Sequence, residues 1–159
     1  VTFQYNEALK ASEIYLNSVN VDTEIRTMEV SNTVSTVAAV PEVRQQLVAL
    51  QQQMGADKGI VMDGRDIGTV VFPDAELKLF MTASADTRAQ RRYDELIGGG
   101  TVVTFEAVLE NITSRDYLDS TRDDSPLFKA DDAIEIDNSN LNLEQQFEQV
   151  LALVNSKLN

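Results

Sequence analysis

This sequence contains neither cysteine nor histidine. The first absence excludes disulfides, thiolate nucleophiles and thiolate metal sites; the second removes the commonest general base and metal ligand. No run of 18 apolar residues occurs, and VTFQYNEALK lacks the basic start, apolar core and cleavage site of a signal peptide. A soluble, cytoplasmic protein without a membrane partner is therefore expected, one whose chemistry rests on carboxylates, guanidinia and hydroxyls. Positive charge is also scarce. Thirteen Lys and Arg stand against 26 Asp and Glu, a net charge of -13, which argues against a nucleic-acid partner, since a phosphate backbone demands a basic surface.

What is present suits one folded domain. The chain has 159 residues, 43% of them hydrophobic, enough for a single core. The arginines are unevenly placed: six of the eight lie from Arg65 to Arg122, while the five lysines are scattered. Arginine presents a planar fork that matches phosphate oxygens, so the concentration suits a phosphate site; the same arginines would also serve to balance nearby acids on solvated helices.

The pattern alternates strands with helices. Residues 1–5 and 12–17 alternate as two antiparallel strands, and Val19 and Val21 add a short third. From Thr27, a plausible cap, a helix is expected with Val30, Val34, Val37 and Ala38 on its apolar face. Pro41 suits the first turn of the next helix, which carries Val43, Leu47 and Leu50 inward and ends at Gly55. Residues 59–62 read as a buried parallel strand, with Asp63, Gly64, Arg65 and Asp66 at its carboxyl end, where ligands of open parallel sheets bind; a charged turn is the plainer alternative. A further strand is expected within 75–82. A helix capped by Ser84 follows over 85–97, with Ala89, Tyr93 and Leu96 inward and Arg88, Arg91 and Arg92 pointing away from the core. Gly98, Gly99 and Gly100 make a natural hinge.

A second long helix starts near Thr104 with Phe105, Val108, Leu109 and Ile112 inward. If it continues, Arg115, Asp119 and Arg122 fall at i, i+4 and i+7 on one side, either as a surface ion-pair ladder or as a clamp for a hydroxyl and a phosphate. A last strand at 133–137 and a helix at 143–158, with Leu143, Phe147, Val150, Leu151 and Val154 inward, complete an α/β domain.

The run DGRDIGTVVFPDAELKLF, preceded by EIRTMEVSNTVSTVAAVPEVR and followed by TRAQRRYDEL and SRDYLDSTR, closely resembles the bacterial cytidylate kinases. Four separated motifs in order, across essentially the whole chain, make the resemblance specific. It implies a P-loop NTPase-like nucleoside monophosphate kinase fold with a parallel sheet, a small antiparallel insert and a helical lid at about 88–122. Residues 1–54 would form the monophosphate-binding insert and helices, and 55–159 the C-terminal part of the kinase core. The implied reaction moves the γ-phosphoryl group of ATP, with Mg2+, onto CMP or dCMP, in a protein expected to be a monomer.

Residue by residue, the resemblance places Ser35, Arg44 and Asp66 at the cytosine and Arg65 at the acceptor phosphate. Asp63 would lie near magnesium and its waters rather than ligate it directly. Arg91, with Arg88 and Arg92, would face the ATP phosphates from the lid, while Arg115, Asp119 and Arg122 would clamp the ribose and phosphate. Histidine is not needed, because phosphoryl transfer is mostly positioning and charge stabilisation. The family's first strand and its G-x-x-x-x-G-K-[ST] phosphate loop have no counterpart in this sequence. The chain is accordingly expected to be the C-terminal portion of such a kinase, with an exposed apolar seam where the first strand belongs. Alone it would be a non-catalytic remnant with weak nucleotide binding.

Overall fold

The structure, a computed structural model, describes residues 1–158. It opens with an antiparallel three-stranded sheet formed by β1 (Thr2–Asn6), β2 (Ala11–Leu16) and β3 (Val19–Asn20). Register places Phe3 opposite Ile14 and Leu16 opposite Val19, so one face is apolar, and Phe3, Tyr5 and Val19 on it are exposed. Asn17 and Ser18 both adopt positive φ in the tight turn between β2 and β3.

Helix α1 (Met28–Ala38) is capped by Thr27, whose hydroxyl accepts from the Val30 amide, as its sequence position leads one to expect. Its buried face is different from the expected one. Ser31 and Ser35 are buried, whereas Val30, Val34 and Val37 are exposed. The same correction applies to α2 (Pro41–Met54): Arg44 is its buried residue, and Leu47 and Leu50 are exposed. Apolar periodicity identified these segments as helices, but the buried positions are those with polar partners: Ser31 meets Asn111 and Arg115, and Arg44 meets Asp66.

Residues 59–62, expected as a buried strand, form no strand, and Ile60 and Val61 are exposed. Lys58 and Gly59 both have positive φ, which breaks extended geometry at the start of the segment. The only parallel pairing among the described residues joins β4 (Leu79–Thr82) to β5 (Ile134–Asp137), with Met81 beside Ile136. A strand lacking a hydrogen-bonded neighbour gains nothing from extended geometry. Asp66 ends this irregular stretch and opens a single wide helical turn over Ile67–Val71, which buries Val71.

The apolar core lies between α3 (Ala85–Gly98) and α4 (Phe105–Thr121). Ala89, Leu96 and Val108 are buried there, with Tyr93, Phe105, Leu109 and Ile112 packed around them. The Tyr93 and Phe105 rings meet edge to face at 6.1 Å. Ser84 caps α3 and Thr104 caps α4, each hydroxyl accepting from an amide three residues on. The Ser84 cap, the start of α4 near Thr104 and the inward residues of both helices agree with the sequence reading. Helix α5 (Leu143–Leu158) has its expected bounds but buries no residue, and Leu143, Phe147 and Leu151 are exposed rather than inward.

Candidate functional site

One end of the molecule gathers charge instead of apolar surface. Helices α1, α2 and α4 converge there with the turn at 64–66 around a cavity of about 220 Å3. Ser35 comes from α1, Arg44 from α2, Arg65 and Asp66 from the turn, Arg115 and Asp119 from α4, and Arg122 from the residue that closes α4. Seven residues singled out by sequence are thus brought to one place. A Cβ on Gly64 would lie 2.9 Å from Ile67 Cγ1, so any larger residue in the turn that presents Arg65 would displace the Ile67 side chain.

The side chains are held by one another. Arg44 donates to Asp66 Oδ2, and both residues are buried. Asp119, 4% exposed, receives Arg65 Nε at 3.1 Å on one carboxylate oxygen and lies 3.6 Å from Arg122 Nη1 on the other. Arg122 also donates twice to the Ser125 carbonyl, at 2.9 and 2.7 Å, and Leu127 N donates to the Asp119 carbonyl at 2.7 Å. The chain leaving α4 is therefore folded back against the end of that helix. The i, i+4, i+7 spacing is no surface ladder, because Asp119 is buried.

Four arginines face two aspartates around this cavity, an excess of two positive charges in a chain of net charge -13. Arg44 Nε and Arg115 Nε are buried and have no hydrogen-bond partner. Burial pulls the Arg115 guanidinium below the usual arginine range, with nearby Arg65 adding to the effect and Asp119 opposing it. Arg122 is lowered likewise, by burial first and by Arg44 second, against Asp119 and Asp66. Unsatisfied buried donors and crowded cations are what an incoming anion would relieve.

The remaining predicted residues lie elsewhere. Asp63 is exposed and outside the cavity lining. Arg88 makes a two-pronged pair with Asp116 at 2.9 and 2.6 Å, which turns it towards α4. Arg91 donates to Asn138 and to the Leu141 carbonyl, clasping the turn after β5. Arg92 pairs with Glu95 at 2.6 Å and with the Arg26 carbonyl. Among the described residues, no group of three or more Asp, Glu, His or Cys side chains is gathered to hold a metal ion. Sequence reasoning passed over Gln51, which also lines the cavity. Gln51 lies seven residues after Arg44, on the same face of α2, and that spacing was the available signal.

A cluster of guanidinia with two buried carboxylates, carried on an α/β framework, defines the class as an α/β protein with a cavity suited to an anion. The family model for cytidylate kinase matches residues 1–156, and the chain belongs to that family. The family implies the P-loop NTPase fold, and the parallel β4 and β5 flanked by helices are the part of such an α/β layout seen here. A cytidylate kinase of Flavobacterium psychrophilum is 63% identical over 154 residues, 97% of this chain and 68% of that protein. One from Flavobacterium johnsoniae is 65% identical over 153 residues, 96% and 66%, and one from Cytophaga hutchinsonii 48% over 158 residues, 99% and 68%. The chain spans about two thirds of the length of these curated relatives. No helix among the described residues is long and apolar enough to cross a membrane.

Proposed function

We propose that this chain carries the acceptor half of an ATP-dependent cytidylate kinase, which transfers the γ-phosphoryl group of ATP to CMP or dCMP and releases ADP with CDP or dCDP. The observation that carries the reading is the pair of partnerless buried guanidinium nitrogens, on Arg44 and Arg115, in a cavity with two surplus positive charges. A nucleoside monophosphate supplies what such a cavity lacks: a doubly charged phosphate and a polar base edge.

In this reading Ser35, Arg44 and Asp66 face the cytosine. The hydroxyl, guanidinium and carboxylate address its amino group, ring nitrogen and carbonyl, and the pairing of Arg44 with Asp66 holds both in a defined orientation. Arg65, Arg115 and Arg122 surround the acceptor phosphate, and Asp119, fixed between two arginines, accepts from a ribose hydroxyl. Phosphoryl transfer places charge on the equatorial oxygens in the transition state, so guanidinia already in position stabilise it without reorganising. Magnesium would arrive with the ATP phosphates, and Asp63 would reach it through its waters. Residues 88–122 act as the lid, with 1–54 as the monophosphate-binding part and 55–159 as the kinase core. For Arg88, Arg91 and Arg92 to serve ATP, they must exchange their present partners for its phosphates, and the Gly98, Gly99 and Gly100 junction supplies the hinge.

Coupled assay and calorimetric titration of the full-length protein with CMP, dCMP and UMP test the reading. CMP or dCMP is expected to bind and to be phosphorylated in preference to UMP. Binding of CMP with no transfer would instead mark a nucleotide-binding protein without catalysis, and a preference for UMP would reject the cytosine assignment.

A further inference from the structure

Ser31 is buried on α1, one turn before Ser35, yet it does not line the cavity. Its hydroxyl accepts from Arg115 Nη1 at 3.0 Å and donates to Asn111 Oδ1 at 2.9 Å; Asn111 Nδ2 donates in turn to Asn32 Oδ1 at 2.6 Å. A hydroxyl has one proton. Because Asn111 takes it, the Ser31 lone pairs are left to face the guanidinium. Asn111 therefore sets the direction of the whole chain of bonds, and it ties α4 to α1 while doing so.

The other arginines at and around the cavity are held differently. Arg65 pairs with Asp119, Arg44 with Asp66, and Arg88 with Asp116. Among the described residues Arg115 has no carboxylate within ion-pair distance; it donates instead to the neutral Ser31. A carboxylate partner would orient the guanidinium but would also neutralise much of its field. A hydroxyl orients it and leaves the full charge for an anion in the cavity.

We propose that Ser31 and Asn111 are positioning residues which hold the Arg115 guanidinium, with no carboxylate paired to it directly, against the phosphate of the acceptor nucleotide. This rests on the reading of the cavity as a cytidine monophosphate site. Ser31 and Asn111 touch no substrate and act through Arg115.

The test uses the full-length protein with CMP and ATP. Ser31→Ala is expected to lower kcat/KM for CMP about tenfold, the effect of one lost hydrogen bond to a charged group, with KM for ATP unchanged. Ser31→Thr, which keeps the hydroxyl, recovers most of that loss. Asn111→Leu lowers kcat/KM for CMP in the same direction, while in an Arg115→Ala background Ser31→Ala causes no further loss. An equal loss from Ser31→Ala with and without Arg115, or no loss in the wild-type background, overturns the proposal. If Ser31→Ala does not fold, Ser31→Thr, which keeps the hydroxyl, and the near-isosteric Ser31→Val, which removes it, make the same comparison, and equal activity of the two overturns the proposal. Failure of the unsubstituted protein to bind CMP would instead strike the functional reading itself.

Discussion

The two halves of α4 are built on opposite principles. Its N-terminal half buries Val108 against Ala89 and Leu96 of α3, with Phe105, Leu109 and Ile112 alongside. Its C-terminal half buries Asp119, which pairs with Arg65, and carries Arg115 towards α1, where it donates to the Ser31 hydroxyl. Apolar packing tolerates exchange among side chains of similar volume, because the attraction has no direction. The charged half has no such latitude: each buried ion depends on a particular partner, and removing one leaves the other stranded. The helix thus joins a region that supplies stability to one that gives up stability to hold charge ready for a ligand.

The largest effect should come from breaking the charged half. Arg44→Ala leaves the Asp66 carboxylate buried without its partner, and a loss of about 3–5 kcal/mol in unfolding free energy is expected, together with loss of CMP binding. Denaturant unfolding and titration calorimetry measure the two; a stable variant with full CMP affinity would show that the pair is dispensable. In the apolar half, Val108→Ala removes two methyl groups from a fully buried position, for an expected loss of about 2 kcal/mol with CMP affinity unchanged. A matching fall in affinity would mean that the halves are coupled. The smallest effect belongs to Arg88→Ala. Its pair with Asp116 is part-exposed, so thermal unfolding should detect no more than ~1 kcal/mol, and any larger change would give this pair a structural role that its exposure does not predict.

The apolar half was legible in the sequence. Ala89, Tyr93 and Leu96 recur at helical spacing, as do Phe105, Val108, Leu109 and Ile112, and the structure packs them against one another. Caps at Thr27 and Ser84 were legible for an equally local reason, since the hydroxyl and the amide it accepts from lie three residues apart. The same periodicity misled at α1 and α2. It marked Val30, Val34, Leu47 and Leu50 as inward, yet those side chains are exposed and Ser31, Ser35 and Arg44 are buried. Hydrophobic spacing shows that a helix has an apolar face, but it does not show what lies opposite. Residues 59–62 failed in a related way: their apolar composition suits a strand, but a strand exists only through its neighbours, and none pairs with them among the described residues.

By itself, the sequence determined the family, the order of the helices and the residue types available for chemistry. The exclusion of thiol and imidazole chemistry follows directly from its composition, and the cavity-lining Ser35, Arg44, Arg65, Asp66, Arg115, Asp119 and Arg122 were all marked by motif. Only the tertiary structure decided which charges meet: that Arg65 and Arg122 share Asp119, that Arg44 takes Asp66, and that Arg115 turns to Ser31, 84 positions away. Partner choice among charged side chains is set by distance and burial. Both arise from packing elements remote in the chain, which no local pattern encodes.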